Sequence, residues 1–133
     1  MEKKTFILID GNSLMNRAFY ALGGFTTKDG FPTNAIFGFI KFLFKIIEEE
    51  KPDYLAVTFD VHAPTFRHKL YKEYKGTRNP TPQELIVQFP ALKEVLNAMH
   101  IRYVEMEGYE ADDLMGTLSR AYENVRSVIY TGD

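Results

Sequence analysis

The chain contains no cysteine. Disulfides, thiolate metal sites and a cysteine nucleophile are therefore excluded. Histidine is scarce as well. The three present (His62, His68 and His100) are too few for a histidine-rich zinc site and read as surface or packing residues. No apolar run is long enough to cross a bilayer, because the densest stretch, Ala35 to Ile47, is interrupted by Lys41 and Lys45. The amino-terminal run in MEKKTFILID is closed too soon by Asp10 to act as a signal peptide. Internal repeats and low-complexity linkers are missing too. These absences predict a soluble, cytoplasmic protein with no membrane partner.

What is present suffices for one core and not two: 133 residues, 45% hydrophobic and 14% aromatic. The net charge of −2 conceals an asymmetry. Between Val61 and Pro80 stand five basic residues (Arg67, Lys69, Lys72, Lys75, Arg78) and one acid, Glu73. That segment carries +4, which leaves −6 on the remainder. Such a split suits two tasks, meeting phosphates and holding cations.

Short apolar runs alternate with helical patterns. Thr5–Ile9, Tyr54–Phe59, Ile101–Met106 and Val125–Tyr130 read as buried strands. Helices are expected over Ser13–Leu22, from Thr33 to about Glu50, from a Thr81 N-cap to about Met99, and over about Glu110–Glu123. Thr81-Pro82-Gln83-Glu84 supplies an N-cap, a proline at the first helical position and a glutamate behind it. Gly38, Lys41, Lys45 and Glu49 fall at helical spacing and predict one wet stripe. Pro52 should stop that helix, and Lys28-Asp29-Gly30 should form a tight turn. Strands alternating with helices predict an α/β fold with a mostly parallel sheet and helices on both faces. Such sheets place their sites at the carboxyl ends of the strands.

Three expected strands end in aspartate: Asp10, Asp60 and Asp133. Glu110, Asp112 and Asp113 follow the third strand in the first turn of a helix, where Glu110 and Asp113 share a face. An isolated acid in such a place serves commonly as a cap or a complement to the helix dipole. Six at one edge would repel one another and resist ionising together. Mg²⁺ or Mn²⁺ would relieve that repulsion through oxygen ligands and substrate phosphates. The chemistry that follows is hydrolysis by a metal-activated water, with a second metal at the leaving oxygen. No histidine, cysteine or serine stands at these strand ends to offer another nucleophile.

Directly after Asp60, the run HAPTFRHKLYKEYKGTRNPT has no core pattern, and a loop of about 20 residues in a small domain is uncommon unless functional. Tyr71 and Tyr74 interleave with Arg67, Lys69, Lys72, Lys75 and Arg78. Cations meet phosphates and rings stack on splayed bases, although a solvated surface loop would share this composition. Arg17 and Tyr20 follow Asp10 on the first helix, within reach of a phosphate; an arginine there is ordinarily just solvated. Glu48–Glu50 is a solvated helix end.

Taken in order, these motifs resemble the N-terminal 5′-nuclease domain of bacterial DNA polymerase I, part of the flap endonuclease family. The matching residues are Ile9-Asp10-Gly11-Asn12 with Arg17-Ala18-Phe19-Tyr20, Phe59-Asp60, Thr65-Phe66-Arg67-His68, Tyr74-Lys75-Gly76-Thr77-Arg78 with Pro80-Thr81-Pro82, Gly108-Tyr109-Glu110-Ala111-Asp112-Asp113, and Thr131-Gly132-Asp133. The resemblance implies a PIN-like, resolvase-like fold and a structure-sensitive nuclease using two divalent metals on DNA 5′ ends and flaps. RNA primers are a further substrate class. Asp10, Asp60, Glu110, Asp112, Asp113 and Asp133 match the metal-site acids. Tyr74, Lys75 and Arg78 match the helical arch that receives the 5′ strand, with Arg67, Lys72 and Tyr20 as further DNA contacts. Arg17 matches a basic position near the scissile phosphate. Asp10, Asp60, Arg17 and Lys75 are thus the expected catalytic set.

The family pattern continues beyond Asp133 with another acid, a helix-hairpin-helix element and further second-metal acids, and polymerase I adds a polymerase domain. The expectation is therefore a monomeric N-terminal part of one nuclease domain, residues 1–133 with an arch-like segment at 61–81, weakly active alone. Three alternatives follow from the same residues. A stand-alone 5′-3′ exonuclease would share every motif. A haloacid-dehalogenase-type phosphatase would want an aspartate where Asn12 stands. A non-catalytic nucleic-acid-binding module would use the acids only as caps.

Overall fold

Ile7, Leu8 and Ile9 are all buried, so side chains on both faces of this strand are covered, as in the middle of a parallel sheet. A computed structural model describes residues 4–60, 81–121 and 125–131. Its strands are β1 (Lys4–Asp10), β2 (Tyr54–Phe59), β3 (Arg102–Glu105) and β4 (Val125–Tyr130). The helices are α1 (Gly11–Ala21), α2 (Asn34–Glu50), α3 (Gln83–Ile86), α4 (Gln88–Ala98) and α5 (Gly108–Ala121). All strand pairings are parallel, in the order β3-β2-β1-β4. Ile9 lies between Val57 and Tyr130 in the ladder. The chain steps outward from β1 to β3, then crosses back to lay β4 on the far side of β1. That reversal puts the topological switch at the carboxyl ends of β1 and β4, where open α/β sheets bind ligands.

Each face carries its own core. On one side Ile7, Ile9, Val57 and Phe59 pack with Leu14 and Met15 of α1, Phe39, Leu43 and Ile46 of α2, Leu85 of α3, and Leu92 and Leu96 of α4. On the other, Leu8 and Ala56 meet Met115 and Ala111 of α5. Each fully buried aliphatic chain contributes about 1.5–3 kcal/mol, so the face under α1–α4 dominates the apolar stabilisation. Helices therefore cover both faces of a parallel sheet, as the alternating pattern predicts. No helix of the described residues is long and apolar enough to cross a membrane.

Local signals set most boundaries. Glu50 ends α2, and Lys51 caps it in the left-handed region (φ 45°) ahead of Pro52. Gly30 (φ 87°) donates to the Thr27 carbonyl at 3.0 Å and closes the expected turn.

One expectation fails. The helix begun near Thr81 is broken: Thr81 does not cap it, Pro82 occupies the N-cap without a side-chain bond, and α3 gives way to α4 at Val87. Pro90 is the cause. It offers no N–H, and its ring crowds the carbonyl four residues back, at Ile86, so the chain restarts as a new helix with Pro90 in its first turn. Gly38 lines one surface groove with Lys41, Lys45 and Glu49, as their spacing predicts. A methyl group there would lie 2.7 Å from the Ala18 Cβ. The glycine also lets α1 and α2 approach closely.

A polar knot joins these helices. The amide nitrogen of Asn34 donates to the carbonyls of Phe19 (2.9 Å) and Leu22 (2.8 Å), satisfying the exposed end of α1. Gln88, fully buried, donates to Asn34 Oδ1 and to the Glu84 carbonyl, both at 2.9 Å, and accepts from the Ile36 N–H at 3.1 Å. Across the molecule the Tyr130 hydroxyl donates to Glu50 Oε1 (3.1 Å), holding β4 to the end of α2. Burial and the Glu50 carboxylate both raise the Tyr130 pKa above its ordinary value.

Candidate active site

The first turn of α1 organises the carboxyl edge of the sheet, and Ile9-Asp10-Gly11-Asn12-Ser13 explains how. Asp10 ends β1 and caps α1, its Oδ1 accepting from the Ser13 N–H at 3.1 Å. Gly11 follows because there is no room for more. A Cβ there would lie 2.6 Å from both Phe59 Cε1 and the Thr58 carbonyl oxygen. That close approach brings Asn12 to the end of β2, where its Oδ1 accepts from the Asp60 N–H at 2.8 Å. Ser13 Oγ meets Thr131 Oγ1 at 2.9 Å and so ties the same turn to the end of β4. The Met106 N–H, just past β3, donates to the Phe59 carbonyl at 2.9 Å. Four strand ends thereby converge.

Between them lies a cavity of about 440 Å³ lined by Asp10, Asp60, Glu107 and Asp112, with the hydroxyl-bearing Ser13, Thr58 and Thr131 and the amide of Asn12. Asp10, Asp60 and Asp112 are expected site residues, and the fold brings them together across β1, β2 and α5. Glu110 and Asp113 sit on exposed positions of the same helix outside the cavity lining. Their charge is felt at Tyr109, whose pKa is raised chiefly by Glu110, then by desolvation, Glu107 and Asp113. Of the pair sharing a helix face and the lone Asp112, it is Asp112 that turns into the cavity.

Arg17 is exposed and lines a separate groove between α1 and α2 with Lys45, and Tyr20 is 71% exposed with its ring edge-on to Phe19. Arg67, Lys72, Tyr74, Lys75, Arg78 and Asp133 lie outside the described residues. Sequence reasoning missed Glu107, whose signal was the same as that of the aspartates, an acid directly after the expected strand Ile101–Met106. It also missed the anchoring roles of Asn12, Ser13 and Thr131.

The lining offers oxygen donors, which suit a hard divalent cation. Among the described residues no group of three or more histidine, aspartate or glutamate side chains is gathered tightly enough to hold a metal ion. A hard divalent cation at such an edge would keep several waters and leave positions for phosphate oxygens.

Known proteins share this arrangement of chain. The fold is similar to that of the T5 D15 protein co-crystallised with metal ions, with a TM-score of 0.52 at 17% identity, covering 97% of this chain and 49% of that one. In sequence the chain is 47% identical to DNA polymerase I of Caldicellulosiruptor bescii over 96% of its length and 46% identical to that of Bacillus subtilis over 99%. It is 43% identical to the 5′-3′ exonuclease of Aquifex aeolicus over 98%. It spans 15% of the length of those two polymerases and 46% of that exonuclease. The family model described as the 5′-3′ exonuclease, N-terminal resolvase-like domain matches residues 5–133, and the chain belongs to that family.

Proposed function

We propose that this chain carries the metal-binding edge of a 5′-nuclease that hydrolyses phosphodiester bonds at the 5′ ends and flaps of DNA, within a DNA polymerase I or a related exonuclease. The carrying observation is the carboxylate-lined cavity at the switch point of the sheet, in a chain of a 5′-3′ exonuclease family. Asp10, Asp60 and Asp112 would hold Mg²⁺ or Mn²⁺, with Glu107 beside them. When bound, the cation supplies charge neutralisation at the phosphate and acidifies a water to give the nucleophile. The protein's own part is placement. The Ser13 N–H fixes one oxygen of Asp10, Asn12 fixes the backbone of Asp60, and the Ser13–Thr131 contact keeps the wall at β4 in register. The four lining carboxylates would repel a bare phosphate, so substrate entry depends on the cation. Arg67, Lys72, Tyr74, Lys75 and Arg78 belong to the proposal as the basic and aromatic contacts to the strand, RNA primers included.

One observation favours a second reading: Asp10 already has a structural task as the cap of α1. In a non-catalytic nucleic-acid-binding module the acids would do no more than this.

Two measurements decide between them. Calorimetric titration with Mn²⁺ should show binding that Asp10→Ala weakens clearly and Glu48→Ala, at the remote end of α2, leaves unchanged. Release of a labelled 5′ flap in Mg²⁺ or Mn²⁺ should fall by more than about 100-fold in Asp10→Ala, from whatever rate the unaltered protein gives. Equal behaviour of the two variants, or no Mn²⁺ binding at all, would sink the metal site.

A further inference from the structure

The first turn of α1 presents a side chain that neither the metal set nor the basic segment accounts for. Asn12 lines the cavity, half-buried, and its Oδ1 accepts the Asp60 N–H at 2.8 Å. The assignment of its amide is settled by chemistry, since an N–H can donate only to the oxygen. Asp60 stands one residue past β2, where the ladder of β1 and β2 has ended with Asp10 opposite Thr58. Its backbone N–H therefore depends on a side-chain partner, and Asn12 is that partner. The contact spans 48 residues of sequence and ties the helix that Asp10 caps to the residue that carries the second carboxylate. An aspartate at position 12 could accept the same bond, yet it would add a further negative charge to a cavity that already has four carboxylates. Asparagine supplies the acceptor without the charge.

We infer that Asn12 is a positioning residue for cation binding: by holding the Asp60 backbone it sets the separation between the Asp10 and Asp60 carboxylates. This rests on the metal-site reading above. Loss of a group that orients a ligand typically costs 10–100-fold in metal affinity, and a backbone hydrogen bond acting through one carboxylate belongs at or below the low end. The effect must also disappear when Asp60 no longer bears a charge.

The test is a double-mutant cycle read by Mn²⁺ calorimetry on the full chain, with Asn12→Ala and Asp60→Asn singly and together. Asp60→Asn keeps the backbone N–H and the side-chain size. The expected result is a loss of roughly 3–10-fold from Asn12→Ala alone and less than about twofold from the same change in the Asp60→Asn background. If Asn12→Ala does not fold, Asn12→Gln, which keeps the amide but lengthens it, replaces it in both backgrounds with the same expected pattern. Equal losses in the two backgrounds, or none in either, would overturn the role of Asn12 while leaving the metal site standing. Failure of the unaltered chain to bind Mn²⁺, or an Asp60→Asn variant that binds as well as it does, would overturn both.

Discussion

Gly11 is required because of space and not because of backbone freedom. A β-carbon at that position would lie within 2.6 Å of the Phe59 ring and of the Thr58 carbonyl oxygen, and a main-chain atom cannot swing aside as a flexible side-chain tip can. Gly11→Ala must push α1 away from β2, and overpacking of this kind costs about 1–3 kcal/mol. A lower midpoint of thermal unfolding checks this, and an unchanged midpoint would mean that the approach is looser than the structure has it. The same shift should lengthen the Asn12–Asp60 contact, so Mn²⁺ affinity should fall with stability. Sequence alone pointed to Asp10, Asp60 and Asp112 through their places after strands and in a first helical turn. It did not separate Asp112 from Glu110 and Asp113, because only the packing of α5 on Leu8 and Ala56 decides which carboxylate faces the cavity.

At the scale of elements, the polar knot around Gln88 joins α1, α2, α3 and α4 through bonds that no apolar residue can replace. Gln88→Leu would keep much of the volume but strand the Ile36 N–H in a part-buried place and remove two acceptor-matched donors. An unsatisfied buried group costs about 1–3 kcal/mol, and a total loss of about 2–4 kcal/mol is expected in urea unfolding. A loss below about 1 kcal/mol would show that water restores the missing partners. This knot was not legible beforehand, since Asn34 and Gln88 look like ordinary surface residues until three distant segments meet. The strands were legible almost to the residue: Tyr54–Phe59 and Val125–Tyr130 form as the apolar runs predict. The break between α3 and α4 was not, because a proline such as Pro90 inside a helical pattern can kink a helix as well as end it.

For the whole molecule, strand order decides when the site can exist. Ile7 pairs with Leu55, 48 residues on, and Ala56 with Arg102, 46 residues on, whereas Phe6 pairs with Ser127 across 121 residues. Closing the longest of these loops costs about 0.8 kcal/mol more than closing the first, and long-range pairings lag local ones in folding. Pulse-labelled hydrogen exchange during refolding should therefore protect β1 and β2 amides before those of β4; simultaneous protection, or β4 first, would contradict this order. The wall that carries Thr131 is then the last to arrive. A cation that needs the finished cavity cannot nucleate the fold. If bound as proposed, it would act as a latch, drawing the equilibrium toward the closed sheet in proportion to its concentration once the chain has done the joining unaided.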